Sequence, residues 1–155
     1  MTDMNLTLDL VLRLVVASLL GSLIGLERAY RAKEAGLRTH FLVALGSALF
    51  MIVSQYGFEG MFSVHPNVRL DVSRIAAQVV SGIGFIGAGT IIFQKHAVRG
   101  LTTAAGLWVT AAIGLACGGG LYLLATVCTL LVLFGLGALG TLQRRFIEHE
   151  DEKTS

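Results

Sequence analysis

Asp9 and Arg13 stand four residues apart in a stretch, Leu6 to Leu26, that is otherwise apolar. On a helix that spacing puts carboxylate and guanidinium on one face, where they can pair. The arginine stem is also long enough to snorkel to an outer surface. Asp71, Arg74, Gln78 and Ser81 follow i, i+3, i+7, i+10 spacing and make a polar stripe on one helix face. Such a stripe is costly in lipid, so it is expected to face other helices as a hydrogen-bonding seam, or a water-filled cavity. The two groups together could form a charged outer vestibule, although spacing does not show that their helices touch.

No catalytic grouping accompanies them. His40, His65, His96 and His149 are scattered, without an H-x-x-x-H or Cys/His cluster, so no transition-metal site is expected. A hard cation needs carboxylates or carbonyls, but Asp9, Glu27 and Asp71 each have an arginine close by. There is no G-x-S-x-G and no spacing that suggests a Ser/His/Asp set. Gly82, Gly84 and Gly87 spell G-x-G-x-x-G, but inside an apolar run with no strand before it, so nucleotide binding is not expected. Cys117 and Cys128 read as buried thiols and Trp108 as a helix-packing residue. The expectation is a protein with no catalytic residue, metal or cofactor, and not an enzyme.

The elements that must position these residues are membrane helices. The chain has 155 residues, 54% hydrophobic and 14% charged, against roughly 25% charged in ordinary soluble domains. Its mean hydropathy is +0.74. A formal charge of +2 makes no case for nucleic acid. Five spans are expected, at roughly 6–26, 39–57, 73–93, 101–118 and 121–141, each near the ~20 residues that cross a bilayer. The last two are separated at Cys117–Gly120. The first lacks a basic leading region and a small-residue cleavage pattern, so it is expected to stay as a helix. The fold class is an all-α, polytopic membrane protein, with residues 1–145 as the transmembrane domain and 146–155 as a short acidic tail.

Lys and Arg set the expected orientation. Arg28, Arg31, Lys33 and Arg38, then Lys95 and Arg99, then Arg144, Arg145 and Lys153, all fall on one side of five spans. The other side has Arg69 and Arg74, with Arg13 near the start of span one. The N-terminus is expected outside and the C-terminal tail in the cytoplasm. Glu27, Arg28, Arg38, Thr39, Arg99, Thr102 and Thr103 would form a cytoplasmic rim. Their bland reading is topology, headgroup contact and solvated Glu27–Arg31 and Glu34–Arg38 pairs. Both basic loops carry Gly-Leu and Thr beside an arginine, which could mark a degenerate parallel repeat. Ala17, Gly21 and Gly25 repeat every fourth residue, and Gly82, Gly84, Gly87 and Gly89 crowd span three. These small residues are expected to serve close helix packing, or a break in span three that lines a cavity.

Three blocks of this sequence resemble the signatures of the MgtC/SapB family. They are Ile24–Arg28 with Ala35–Thr39, Arg74–Gly89, and Val98–Ala105 followed by Trp108. The resemblance covers most of residues 10–120. It implies a bacterial inner-membrane, multi-pass protein of about five helices with a periplasmic N-terminus. Members of the family are associated with virulence, growth under magnesium limitation and survival inside host cells. MgtC-type members are described as modulators of other membrane proteins, the F-type ATP synthase among them. Many also carry a soluble cytoplasmic domain after the last span. This chain ends soon after Arg145 and so resembles the short, membrane-only form, and functions of that domain do not carry over. The resulting expectation is a non-enzymatic regulator that contacts the bilayer and other membrane proteins or its own copies, with Arg74 and Gln78 anchoring the seam. The alternative is an oligomeric small transporter or channel for Mg²⁺ or another ion, with Asp71 and Asp9 as its entry carboxylates.

Overall fold

A computed structural model describes residues 2–58, 71–94 and 97–139. Its helices are α1 (Thr2–Tyr30), α2 (Leu37–Tyr56), α3 (Val72–Ala88), α4 (Leu101–Gly118) and α5 (Tyr122–Phe134). A π turn, Gly135–Leu139, continues α5, and strands β1 (Ile92–Gln94) and β2 (Ala97–Arg99) lie between α3 and α4. The strands form an antiparallel hairpin that pairs Ile92 with Arg99 and Gln94 with Ala97.

Five helices therefore stand where five spans were expected, and α1, α2 and α4 are long and apolar enough to cross a membrane. The helices α3 and α5 are apolar but shorter. At ~1.5 Å per residue the 17 residues of α3 reach ~26 Å, somewhat less than the ~30 Å hydrocarbon core.

Two expected boundaries are corrected. Span three does not continue to residue 93, because α3 stops at Ala88 and the chain turns at Gly89 and Thr90. The Thr90 hydroxyl donates to the Gly87 carbonyl, 2.7 Å away, and the Ile91 amide donates to the Ala88 carbonyl. The β-branched and aromatic run Thr90–Phe93 then favours extended backbone. Gly100 closes the hairpin at φ +88, where a Cβ would lie only 1.9 Å from the Thr90 carbonyl oxygen. The second correction concerns α1, which continues to Tyr30 and so carries Glu27 and Arg28 on the helix rather than in a loop. The two basic connections also differ, one a short turn and the other a β-hairpin, although Gly36 and Gly100 each cap the helix that follows.

Helix α2 is the hub. It packs on α1, α3 and α4, while α5 packs on α1 and α4. Glycines on both flanking helices set the approach. A Cβ on Gly21 would lie 2.5 Å from the Ala44 Cβ, and one on Gly114 would lie 2.4 Å from the Ala44 carbonyl oxygen. Gly25 stands equally close to Leu37, and Gly118 to Ala48. The main core, Ala17, Leu20, Ile24, Ala48, Ile113, Cys117 and Ala125, fills the space among α1, α2, α4 and α5. A second cluster, Ala35, Ile83, Leu107 and Ala111, seats α3.

Candidate functional site

The bundle carries polar clusters at its two ends and a polar stripe on α3. At one end, Arg13 pairs with Asp9 as its spacing suggested, Nη2 to Oδ2 at 2.7 Å. It does not snorkel outward. Its side chain is only 12% exposed and turns into the bundle. Arg13 Nη1 donates to the Gly118 carbonyl oxygen at 2.9 Å and to Gln55 Oε1 at 3.2 Å. The Tyr56 ring lies 5.5 Å from the guanidinium carbon, and Tyr122 donates its hydroxyl to Asp9 Oδ1 at 3.1 Å. The physical reason is the end of α4: the Leu115, Ala116 and Cys117 carbonyls accept from the backbone of the turn that follows, and the Gly118 carbonyl, at the negative end of the helix dipole, takes Arg13. Gly120, at φ +79, makes the turn beside the guanidinium. One side chain thus joins α1, α2 and α4, with α5 attached through Asp9.

At the opposite end, Glu27 accepts from Arg28 and forms an ion pair with Arg31 Nε at 2.6 Å. Arg28 is buried, only 3% exposed, which a rim residue facing solvent would not be. Arg31 reaches on to the Gly137 carbonyl, 3.4 Å away. Glu34 does not form the solvated pair expected with Arg38. It accepts from Thr103 Oγ1 at 2.9 Å and so ties the first connection to the start of α4. Its own backbone and the Thr103 hydroxyl hold its carboxyl below the usual range, with help from Lys33 and Arg99. His40 is fully buried, and its Nδ1 lies 3.0 Å from the Gly36 carbonyl, which can only accept. Nδ1 therefore carries the proton, and Nε2 is a buried nitrogen without a hydrogen-bond partner among the described residues. Arg38, Arg99 and Thr102 are exposed, Thr39 is half-buried and Thr103 is buried.

The stripe on α3 behaves differently. Asp71 caps the helix, accepting from the Ser73 amide at 3.0 Å and from its hydroxyl, and this holds its carboxyl below its ordinary value. Arg74, Gln78 and Ser81 are exposed. Gln78 lies in the wall of an open groove of about 710 Å³ between α2 and α3, lined chiefly by apolar residues such as Val43, Phe50 and Ile86. The Arg13 partners lie on α1, α2 and α4, and Asp71 bonds within its own cap, so the two charged groups form no shared vestibule among the described residues. The small residues divide as well. Gly21 and Gly25 pack on α2, and Gly87 faces Ala104 on α4. A Cβ at Gly82 or Gly84 would have no atom within 4 Å, and one at Gly89 would meet only carbonyls of its own turn, so the packing expected of these three is not made among the described residues.

Sequence reasoning did not single out Gln55, Tyr56 or Tyr122, took Gly118 only as part of the Cys117–Gly120 break, and left His40 among scattered histidines. A basic side chain inside an apolar span was the one signal that partners had to exist. Among the described residues no three His, Cys, Asp or Glu come together as a metal site. His65, His96, His149, Arg69, Lys95, Arg144, Arg145, Lys153, the end of the fifth span and the acidic tail lie outside the described residues.

Residues 14–145 match the MgtC family. YhiD of Escherichia coli K12, provisionally named a magnesium transporter, is 55% identical over 131 residues, covering 83% of this chain and 60% of its own. Protein MgtC of Salmonella typhimurium 14028s is 45% identical over 133 residues, covering 86% of this chain and 53% of its own. An uncharacterized Synechocystis protein is 46% identical over 140 residues, 90% of this chain and 56% of its own. The chain thus spans little more than half the length of these relatives. No solved structure matches. With its family blocks, apolar helices and a family match that runs through all five of them, this chain belongs to the MgtC family of membrane proteins.

Proposed function

We propose that this chain is a non-enzymatic regulator of other membrane proteins, tied to magnesium limitation or stress adaptation, and that α3 is its working surface. The observation that carries the reading is the outward stripe. Arg74, Gln78 and Ser81 are exposed on α3, while Arg13, Glu27 and Glu34 are engaged inside the chain. A polar seam on the outside of a membrane helix bundle favours contact with another helix. In this reading all five helices cross the bacterial inner membrane with the N-terminus outside, as the basic residues favour. Arg38, Arg99 and Thr102 then face the cytoplasm at the membrane boundary.

The transport reading draws on the name of YhiD. Its entry carboxylates would be Asp9 and Asp71, but Asp9 is held by Arg13 and Tyr122, and Asp71 by Ser73. The groove between α2 and α3 is lined mainly by apolar side chains, a poor path for a hydrated dication.

Arg74→Ala and Gln78→Ala test the regulator reading. Both are expected to weaken co-purification with membrane partners, further copies of this chain included, and to impair growth under magnesium limitation. Wild-type partner recovery and growth in both variants contradict it.

A further inference from the structure

Gln78 and Ser81 sit on a membrane helix, exposed, and neither side chain hydrogen-bonds to another described residue. Phe85, seven residues on from Gln78 and hence on the same face, is 86% exposed. Around it, Gly82 and Gly84 leave open space where a side chain would be. The groove between α2 and α3 opens beside that face, with Gly46, Gly82 and Ile86 in its walls.

We infer that a second copy of this chain covers this face, with the two α3 helices meeting across a two-fold axis along the membrane normal. Insertion in one orientation fixes depth. Two such copies bring each residue of α3 level with its own counterpart, as in any isologous pair. Only side chains that both donate and accept can satisfy themselves in that arrangement. The Gln78 amide does both, and so does the Ser81 hydroxyl. The charged end follows the same rule. Asp71 and Arg74 lie within one turn, so Arg74 of each copy is close in level to Asp71 of the other. Below them, Gly82 permits close backbone approach. Phe85 of each copy then faces the other copy's groove at the level of Gly82 and Ile86. The stripe is complementary to itself from Asp71 to Phe85, and a second copy is the occupant that this complementarity selects.

The inference rests on reading α3 as a helix–helix seam, and the test separates the two. Ser81→Cys in the full chain is oxidised in native membranes, beside Leu123→Cys on the exposed face of α5 and the unsubstituted chain with its own Cys117 and Cys128. A disulfide-linked dimer several-fold more abundant for Ser81→Cys than for either comparison is expected. Gln78→Leu is expected to weaken pairing about threefold to tenfold, read by single-molecule photobleaching in dilute liposomes. Gln78→Glu, which sets two carboxylates at one level, is expected to weaken it further. Dimer yield from Ser81→Cys no greater than from Leu123→Cys overturns the inference. If Ser81→Cys instead cross-links to a different protein, the second copy is overturned and the regulator reading stands. If neither product forms and Arg74→Ala and Gln78→Ala leave partner recovery unchanged, both readings fall.

Discussion

Arg13 on α1 donates to the carbonyl oxygen of Gly118 at the end of α4, 2.9 Å away and 105 positions along the chain. The bond makes a side chain from the first helix the cap of the fourth. Arg13→Ala leaves that carbonyl, Gln55 and one side of Asp9 without their partner. Since the arginine is largely buried, the expected cost is about 1–3 kcal/mol of stability, more than a surface ion pair contributes. Gln55→Ala removes one weaker bond and is expected to cost less. Thermal unfolding in detergent compares them, and equal stability of Arg13→Ala and the parent contradicts the assignment.

The glycines separate into two groups with opposite expected responses. Gly21→Ala drives a methyl to 2.5 Å from the Ala44 Cβ and pushes α1 off α2, an overpacking cost of about 1–3 kcal/mol. Gly84→Ala meets nothing within 4 Å and gains helix propensity, so it is expected to be neutral or stabilising by up to about 1 kcal/mol. The same unfolding assay reads both, and a Gly84→Ala loss as large as that of Gly21→Ala contradicts the packing described.

Gly100 holds the hairpin against the start of α4. Gly100→Ala combines a left-handed φ of +88 with a Cβ placed 1.9 Å from the Thr90 carbonyl oxygen. The hairpin is expected to open, and amide hydrogen exchange at Ile92–Gln94 should quicken. Unchanged protection there rules out this role for the glycine.

Acid should loosen the Glu34–Thr103 tie. The folded-state value of Glu34 lies below its ordinary 4.5, so its contribution to stability is present above 4.5 and is lost as pH falls through the lowered value. Asp71 follows the same sign below its ordinary 3.8, through the cap it forms with Ser73. Thr103→Val removes the hydroxyl and is expected to move the Glu34 midpoint upward toward 4.5 in a carboxyl-detected NMR titration. An unmoved midpoint shows that Thr103 does not hold the carboxylate.

Much of the helical order was legible in the residues. The fourth span was expected at 101–118, where α4 lies, because glycines punctuate both of its ends. The end of span three was not legible. Thr90–Phe93 is apolar enough to read as membrane helix, and hydropathy does not separate a β-branched strand from a span. The Asp9–Arg13 pair was legible because it is local, whereas the Gly118 carbonyl was not, since a backbone acceptor leaves no mark in residue type. Glu34 was assigned to Arg38 by helical spacing, but Glu34 precedes α2 and is free to reach Thr103. The stripe on α3 was legible as a stripe. Its direction depends on which face Ile83 buries against α4, and only packing decides that.

The central claim, that the chain regulates other membrane proteins rather than moving ions, meets its most direct test in ion flux. Purified, folded protein is reconstituted into liposomes loaded with a Mg²⁺-sensitive dye, with Asp71→Asn and Arg74→Ala alongside. The account predicts no uptake above empty liposomes for any of the three. Saturable Mg²⁺ uptake by the parent chain that falls in Asp71→Asn contradicts it and makes the outer end of α3 the mouth of a transport path.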